Sequence, residues 1–179
     1  ADYDAAIAVL DTATLHLDPT FSGDGKLAVF FDLGGDNYDD MLAVTFDAAG
    51  RIVVAGRSQA GSSTWLGTMA RILPNGTLDP AFSADGRATY AFTPVVGSSS
   101  TQNELRDVLV DPIGVIWAVA NVRDPRLPAA TVDAALVRVS AVGSAAAFAR
   151  SGSDDGSAIW PRVSTAFAPQ GLKGALRAL

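Results

Sequence analysis

The chain has 179 residues, 49% of them hydrophobic and 18% charged, with a formal net charge of −6 and a pI near 4.5. This composition belongs to a globular domain with a sizeable core, and its acidity excludes a nucleic-acid partner, whose phosphates demand a basic face. Cysteine is absent, which removes disulfides, thiol catalysis and thiolate metal sites, and no run of about 18 apolar residues marks a membrane span.

Of 19 acidic residues 18 are Asp, and Glu104 is the exception. Asp favours turns, where its short side chain bonds nearby backbone. The chain opens Ala1-Asp2-Tyr3. That start and the missing cysteine give the expectation of an exported bacterial protein, secreted or held in the periplasm or cell envelope.

Read from its beginning, the chain starts with an apolar run at 5–10, the expected last strand of a preceding unit. Residues 17–26 follow and return almost intact at 78–87, 61 positions later, with seven of ten identical. Fixed-period self-similarity is the mark of a repeat architecture. After the first copy, an alternating run at 26–32 puts Leu27, Val29 and Phe31 on one face. A Gly/Asp/Asn loop comes next, then a strand carrying Leu42, Val44 and Phe46 on one face. A turn at 47–50 leads to a continuous apolar run from Ile52, as expected of a strand covered on both faces, and then to a fourth strand through Thr64–Ile72. The second copy repeats this order, with Asp111 and Gly114 each 64 residues after Asp47 and Gly50. A worn third copy matches Arg138 to Arg71, Gly143 to Gly76 and Phe148 to Phe82, with Ala145-Ala146-Ala147 where Leu78-Asp79-Pro80 stands. The tail from 163 repeats the stretch from 42, with Gly171 in the place of Gly50.

Four short strands per unit predict an all-β fold of tandem four-stranded antiparallel sheets, β-propeller-like blades. The units are expected at 1–21 (a last strand), 22–82, 83–148 and 149–179 (partial), within a single repeat domain. The decapeptide reads as the crossover between sheets. Phe21, Phe82 and Phe148 are its expected buried anchors, Gly25 and Gly86 permit the turn, and Gly50 and Gly114 are expected at positive φ. Asp18 and Asp79 are expected to satisfy backbone N–H groups there, beside Pro19 and Pro80.

These residues resemble the delta-60 repeat family of bacterial β-propellers. Gly76-Thr77-Leu78-Asp79-Pro80-Ala81-Phe82, Gly50-Arg51-Ile52-Val53-Val54-Ala55-Gly56 and Ala70-Arg71-Ile72 carry the match, strongest over 14–121. Ser22 and Ser83 stand where the family usually has Gly, and Leu10 stands where later copies have Arg71 and Arg138. The resemblance implies a propeller-type fold, a bacterial origin and export. It implies no activity, because the family shares no catalytic motif.

The chemistry offered is sparse. His16 is the one histidine and lies before a turn without a nucleophile elbow. Asp39-Asp40 and Asp154-Asp155 are adjacent pairs beside Gly-rich turns, and neighbours on a strand point to opposite faces. Asp32, Asp36, Asn37, Asp39 and Asp40 form a candidate calcium loop, since hard cations take several oxygens from one flexible segment. The corresponding loop of the next unit has no acid, and solvated turn acids are the plainer account. Arg71 and Arg138 read as partners of turn acids such as Asp79. Trp65, Trp117 and Trp160 are unevenly spaced and read mainly as packing residues. No catalytic residue and no cofactor other than calcium is indicated. The expected function is a non-enzymatic binding or structural scaffold, acting through loops or by assembly with itself or a protein partner through open sheet edges. The alternative is an envelope or extracellular carbohydrate-active enzyme using loop carboxylates. About three units fall short of the four to eight that close a ring, so the strands at 5–10 and 172–179 are expected to complete a neighbour's sheets.

Overall fold

A computed structural model describes residues 3–34, 37–92, 101–123 and 132–150. Every regular element in it is a strand: β1 Ala5–Ala8, β2 Lys26–Val29, β3 Asp39–Phe46, β4 Ile52–Gly61, β5 Thr64–Ile72, β6 Arg87–Tyr90, β7 Thr101–Val110, β8 Ile116–Arg123, β9 Asp133–Val139 and β10 Ala145–Arg150. Among the described residues the fold is all-β, and the sheets do not close on themselves. Among the described residues no helix is long and apolar enough to cross a membrane.

Two antiparallel meanders carry the structure. Strands β3, β4, β5 and β6 pair in that order, and β7, β8, β9 and β10 repeat it. A short parallel contact, Thr64 with Thr101 and Trp65 with Gln102, joins the two. Strands β1 and β2 form a separate antiparallel pair. Equivalent strands bulge at equivalent places: the register slips between Met41 and Ala43 in β3 and between Leu105 and Asp107 in β7.

The grouping of strands corrects the sequence expectation. The strand at Lys26–Val29 pairs back onto β1, not forward onto β3, and Arg87–Tyr90 likewise pairs back onto β5. The decapeptide is therefore a turn inside one sheet, and the crossovers are the segments before β3 and β7. The reason is local hydrogen bonding. Asp18 and Asp79 donate their N–H groups to the carbonyls of Val9 and Arg71, while Val9 and Arg71 donate to Gly25 and Gly86, so the loop is stitched to the strand it has just left. Gly25 and Gly86 have φ of 81° and 87°, and a Cβ there would come within 2.8 and 2.7 Å of the Cβ of Leu17 and Leu78. Only glycine fits both the angle and the space.

The same stitching makes Val9, not Leu10, the counterpart of Arg71. The turn closed by the Asp11 N–H and the His16 carbonyl is one residue longer than that closed by Leu73 and Thr77. Phe148 is also reassigned. Where Asp79 and Pro80 would bend the chain the third copy has alanines, and the backbone runs straight on as β10, with Phe148 opposite Val137.

The hairpin turns are as expected. Gly50 and Gly114 have φ of 73° and 84°. In both turns the Asp carboxylate accepts N–H groups two and four residues on, from Ala49 and Arg51 and from Ile113 and Val115.

Two apolar layers result. Phe21, Val29, Phe31, Ile52, Val54, Ala70 and Ile72 fill the layer between the N-terminal pair and the first meander. Val53, Ala55 and Met69 of the first meander meet Leu105, Val108, Ile116, Ala118 and Val137 of the second in the other, which also includes the fully buried Phe82. Strand β4 contributes to both, which is why its run is apolar at successive positions.

Candidate functional site

Several of the polar side chains that the fold buries, Asp39, Arg71, Asp79, Asn103 and Glu104 among them, lie at the joints between successive sheets. Asp79 is the clearest. One carboxylate oxygen accepts the Ala81 N–H at 2.9 Å and caps the decapeptide turn. The other accepts Nε of the buried Arg71 at 2.8 Å and lies 3.4 Å from Nη1 of Arg51. Burial alone would raise the Asp79 pKa, but the Ala81 N–H and the charges of Arg71 and Arg51 hold it below the usual carboxylate range. Arg71 also donates Nη1 to the Ala141 carbonyl of the second meander and lies 5.0 Å from the centre of the Phe82 ring. One ion pair thus fixes the turn, the anchor and the next sheet together.

Phe21 and Phe82 are both buried. Each is followed by a serine at positive φ, Ser22 at 54° and Ser83 at 51°, a backbone conformation that favours glycine. Ser22 donates its N–H to the Asn75 carbonyl and Ser83 to that of Val142, so each anchor receives a hairpin of the next sheet. The fit is close: a Cβ on Gly76 would lie 2.4 Å from the Ser22 nitrogen, and one on Gly143 would lie 3.0 Å from that of Ser83. Tyr90 adds a hydrogen bond from its hydroxyl to the Gly143 carbonyl, and burial pushes that hydroxyl up, so it remains a donor.

The candidate calcium loop is used differently. Asp39 is buried and accepts the Phe31 N–H at 2.7 Å. Its counterpart 64 positions on, Asn103, accepts the Phe92 N–H at 3.2 Å and donates to the Trp65 carbonyl. Asp40 binds Arg57, at 2.9 Å to Nη2, while Arg57 reaches Glu104 of the second meander at 3.2 Å. Arg57 also lies 4.3 Å from the centre of the Trp65 ring, beside the stacked pair Tyr3 and Tyr38. Asp32 is exposed with φ of 46°, Asn37 is half-buried with φ of 53°, and Asp36 lies outside the described residues. Among the described residues no three His, Asp or Glu side chains are placed to hold a metal. Asp39 with Asn103, and Asp40 with Glu104, are equivalent pairs that sequence reading missed. Carrying the 64-residue step of Asp47 and Asp111 back along the strand finds both.

His16 is exposed in its turn. Trp117 donates Nε1 to Asp111 at 3.2 Å and lies 6.0 Å from the Arg138 guanidinium. Trp160, Asp154 and Asp155 lie outside the described residues.

No protein-family model matches the chain. Over 130 residues it is 33% identical to Hemicentin-2 of Mus musculus, an overlap covering 68% of this chain and 2% of that protein. The chain therefore spans a very small part of the length of the curated relative it matches.

Proposed function

We propose that the chain is a non-enzymatic structural or binding module built from propeller-type repeats, exported from its cell, and acting through its loops or by assembly with a protein partner or itself. The observation that carries this reading is the fate of the buried polar groups of the joints. Asp39, Asp79 and Asn103 each accept a backbone N–H of the fold, and Asp79 also neutralises Arg71. A group committed to holding backbone in place is poorly placed to move protons for a substrate. The even pairing of equivalent residues, Asp47 with Asp111 and Asp39 with Asn103, is what a repeated scaffold requires of its joints. The stepwise stacking of sheets and the repeated decapeptide support the propeller-type arrangement, and export rests on the resemblance to the delta-60 repeats.

The test is incubation with a panel of bacterial envelope polysaccharides, reading newly formed reducing ends, alongside thermal unfolding with calcium and with chelator. Neither reducing ends nor a chelator-reversible rise in Tm is expected. Reducing ends released by the native chain and lost in Asp40→Asn would overturn the reading in favour of a carbohydrate-active enzyme.

A further inference from the structure

The turn that leaves β5 carries side chains that its joint does not use. The backbone is closed by the Leu73 N–H on the Thr77 carbonyl and by the Gly76 N–H on the Leu73 carbonyl, and the Asn75 carbonyl receives the Ser22 N–H. The equivalent turn after β9 does the same work with other residues. Ser140 and Ser144 close it, Gly143 bonds back to Ser140, and the Val142 carbonyl receives the Ser83 N–H. Val142 stands at the place of Asn75, and its side chain is 60% exposed. Docking thus requires a carbonyl at this position and no particular side chain.

Asn75, Gly76 and Thr77 nevertheless form an Asn-x-Ser/Thr acceptor sequence. It is the only one in the chain, since Asn37, Asn103 and Asn121 have Asp39, Leu105 and Arg123 two residues on. Asn75 and Thr77 are both exposed. The Asn75 Oδ1 accepts the Thr77 N–H at 3.1 Å and the Thr77 hydroxyl at 2.8 Å. The amide nitrogen of Asn75 donates to nothing among the described residues and is the free end of the side chain. A hydroxyl bonded to an amide oxygen polarises the amide and makes its N–H protons easier to remove. Asn103 is the contrast: it is fully buried, and both ends of its amide are engaged, with Phe92 and with Trp65.

We propose that Asn75 is a site of N-linked glycosylation, its Nδ2 taking an oligosaccharide from a lipid pyrophosphate donor during export. The proposal rests on the exported character put forward above. In the transfer, Nδ2 attacks the anomeric carbon of the first sugar. The new N–C bond forms as the C–O bond to the pyrophosphate breaks, the lipid pyrophosphate leaves, and one amide proton passes to a base of the transferase. The folded turn can carry the product. Gly76 is pressed against Ser22, where a Cβ would lie 2.4 Å from the backbone nitrogen, but the neighbouring Asn75 is exposed, so a bulky, solubilising group on it leaves the joint intact.

Translation of the full chain behind a cleavable signal peptide, with microsomes that hold the transferase and its donor, tests this. The chain protected from added protease is read by intact mass. The native chain is expected above its 18.4 kDa by the mass of one glycan. Peptide N-glycosidase should remove that mass and leave Asp at position 75, which peptide mapping reads. Thr77→Ser keeps the hydroxyl and should keep the glycan. Thr77→Val and Asn75→Gln should each stay at the unmodified mass, and either variant serves should the other fail to fold. The glycosylated and deglycosylated chains should unfold at the same Tm. A protected native chain of unmodified mass, a glycan that persists in Thr77→Val, or a Tm lower with the glycan than without it would overturn the proposal. Because the signal peptide supplies the export, such a failure lies with Asn75 and leaves the exported, non-enzymatic reading to its own test.

Discussion

Two copies of the decapeptide give an internal control for the ion pair. Asp79 and Asp18 occupy the same turn, and each accepts an N–H two residues on, from Ala81 and from Thr20, both at 2.9 Å. Asp79 also neutralises Arg71, whose side chain is 3% exposed, whereas Val9 stands at the corresponding place beside Asp18. Asp18→Ala therefore removes turn hydrogen bonds at a partly exposed site, at a cost of about 1 kcal/mol. Asp79→Ala removes the equivalent bond and leaves a buried guanidinium without its carboxylate, at a cost of about 3–5 kcal/mol. With a urea m-value of about 2 kcal/mol per molar, those figures move the unfolding midpoint down by about 0.5 M and about 1.5–2.5 M. The double variant Arg71→Leu with Asp79→Asn should regain most of the larger loss, because both charges leave the interior together. Urea titration followed by tryptophan fluorescence reads all three. Equal midpoint shifts for Asp18→Ala and Asp79→Ala would refute the reasoning, since they would show that the buried guanidinium does not depend on Asp79.

Glycine replacement separates space from angle. Gly76→Ala meets the Ser22 backbone at 2.4 Å, while Gly23→Ala meets nothing within 4 Å at nearly the same φ, 84° against 85°; the first should lower the midpoint well beyond the roughly 1–2 kcal/mol of left-handed strain, the second only by that strain, and equal losses would exclude the docked joint. Acid sensitivity follows from Asp47, Asp79 and Asp111. Their folded pKa values lie below the usual range, because accepted N–H groups and nearby arginines outweigh burial. Their stabilisation is complete above the unfolded value of about 3.9 and is lost as pH falls through the folded values. Tm should be flat from neutral pH to about 5 and fall below about 4; a fall beginning near pH 6 would contradict this.

What the sequence made legible was local chemistry. The turns around Gly50 and Gly114 were readable because a turn of that kind is specified within five residues by an Asp and a Gly. The Arg71–Asp79 pair was readable because an arginine inside an apolar strand needs a partner, and a turn acid stands eight residues on. Strand partnership was not readable. Nothing in residues 17–26 says whether the turn delivers the chain to a new sheet or returns it to the old one; the backbone bonds among Val9, Asp18 and Gly25 decide that, and they have no side-chain signature. The straightening at Phe148 did have one, in the loss of Asp79 and Pro80 from the third copy. The buried latches at Asp39 and Asn103 were hidden by loops of unequal length, which shift the step from 61 to 64 residues between the decapeptide and the following strand. That same step gives a physical reason for the lone Glu in an Asp-rich chain. Asp40 bonds Arg57 on the strand paired directly to its own, where a short side chain reaches. Glu104 meets the same guanidinium from the other side of the joint, and the additional methylene carries its carboxylate across.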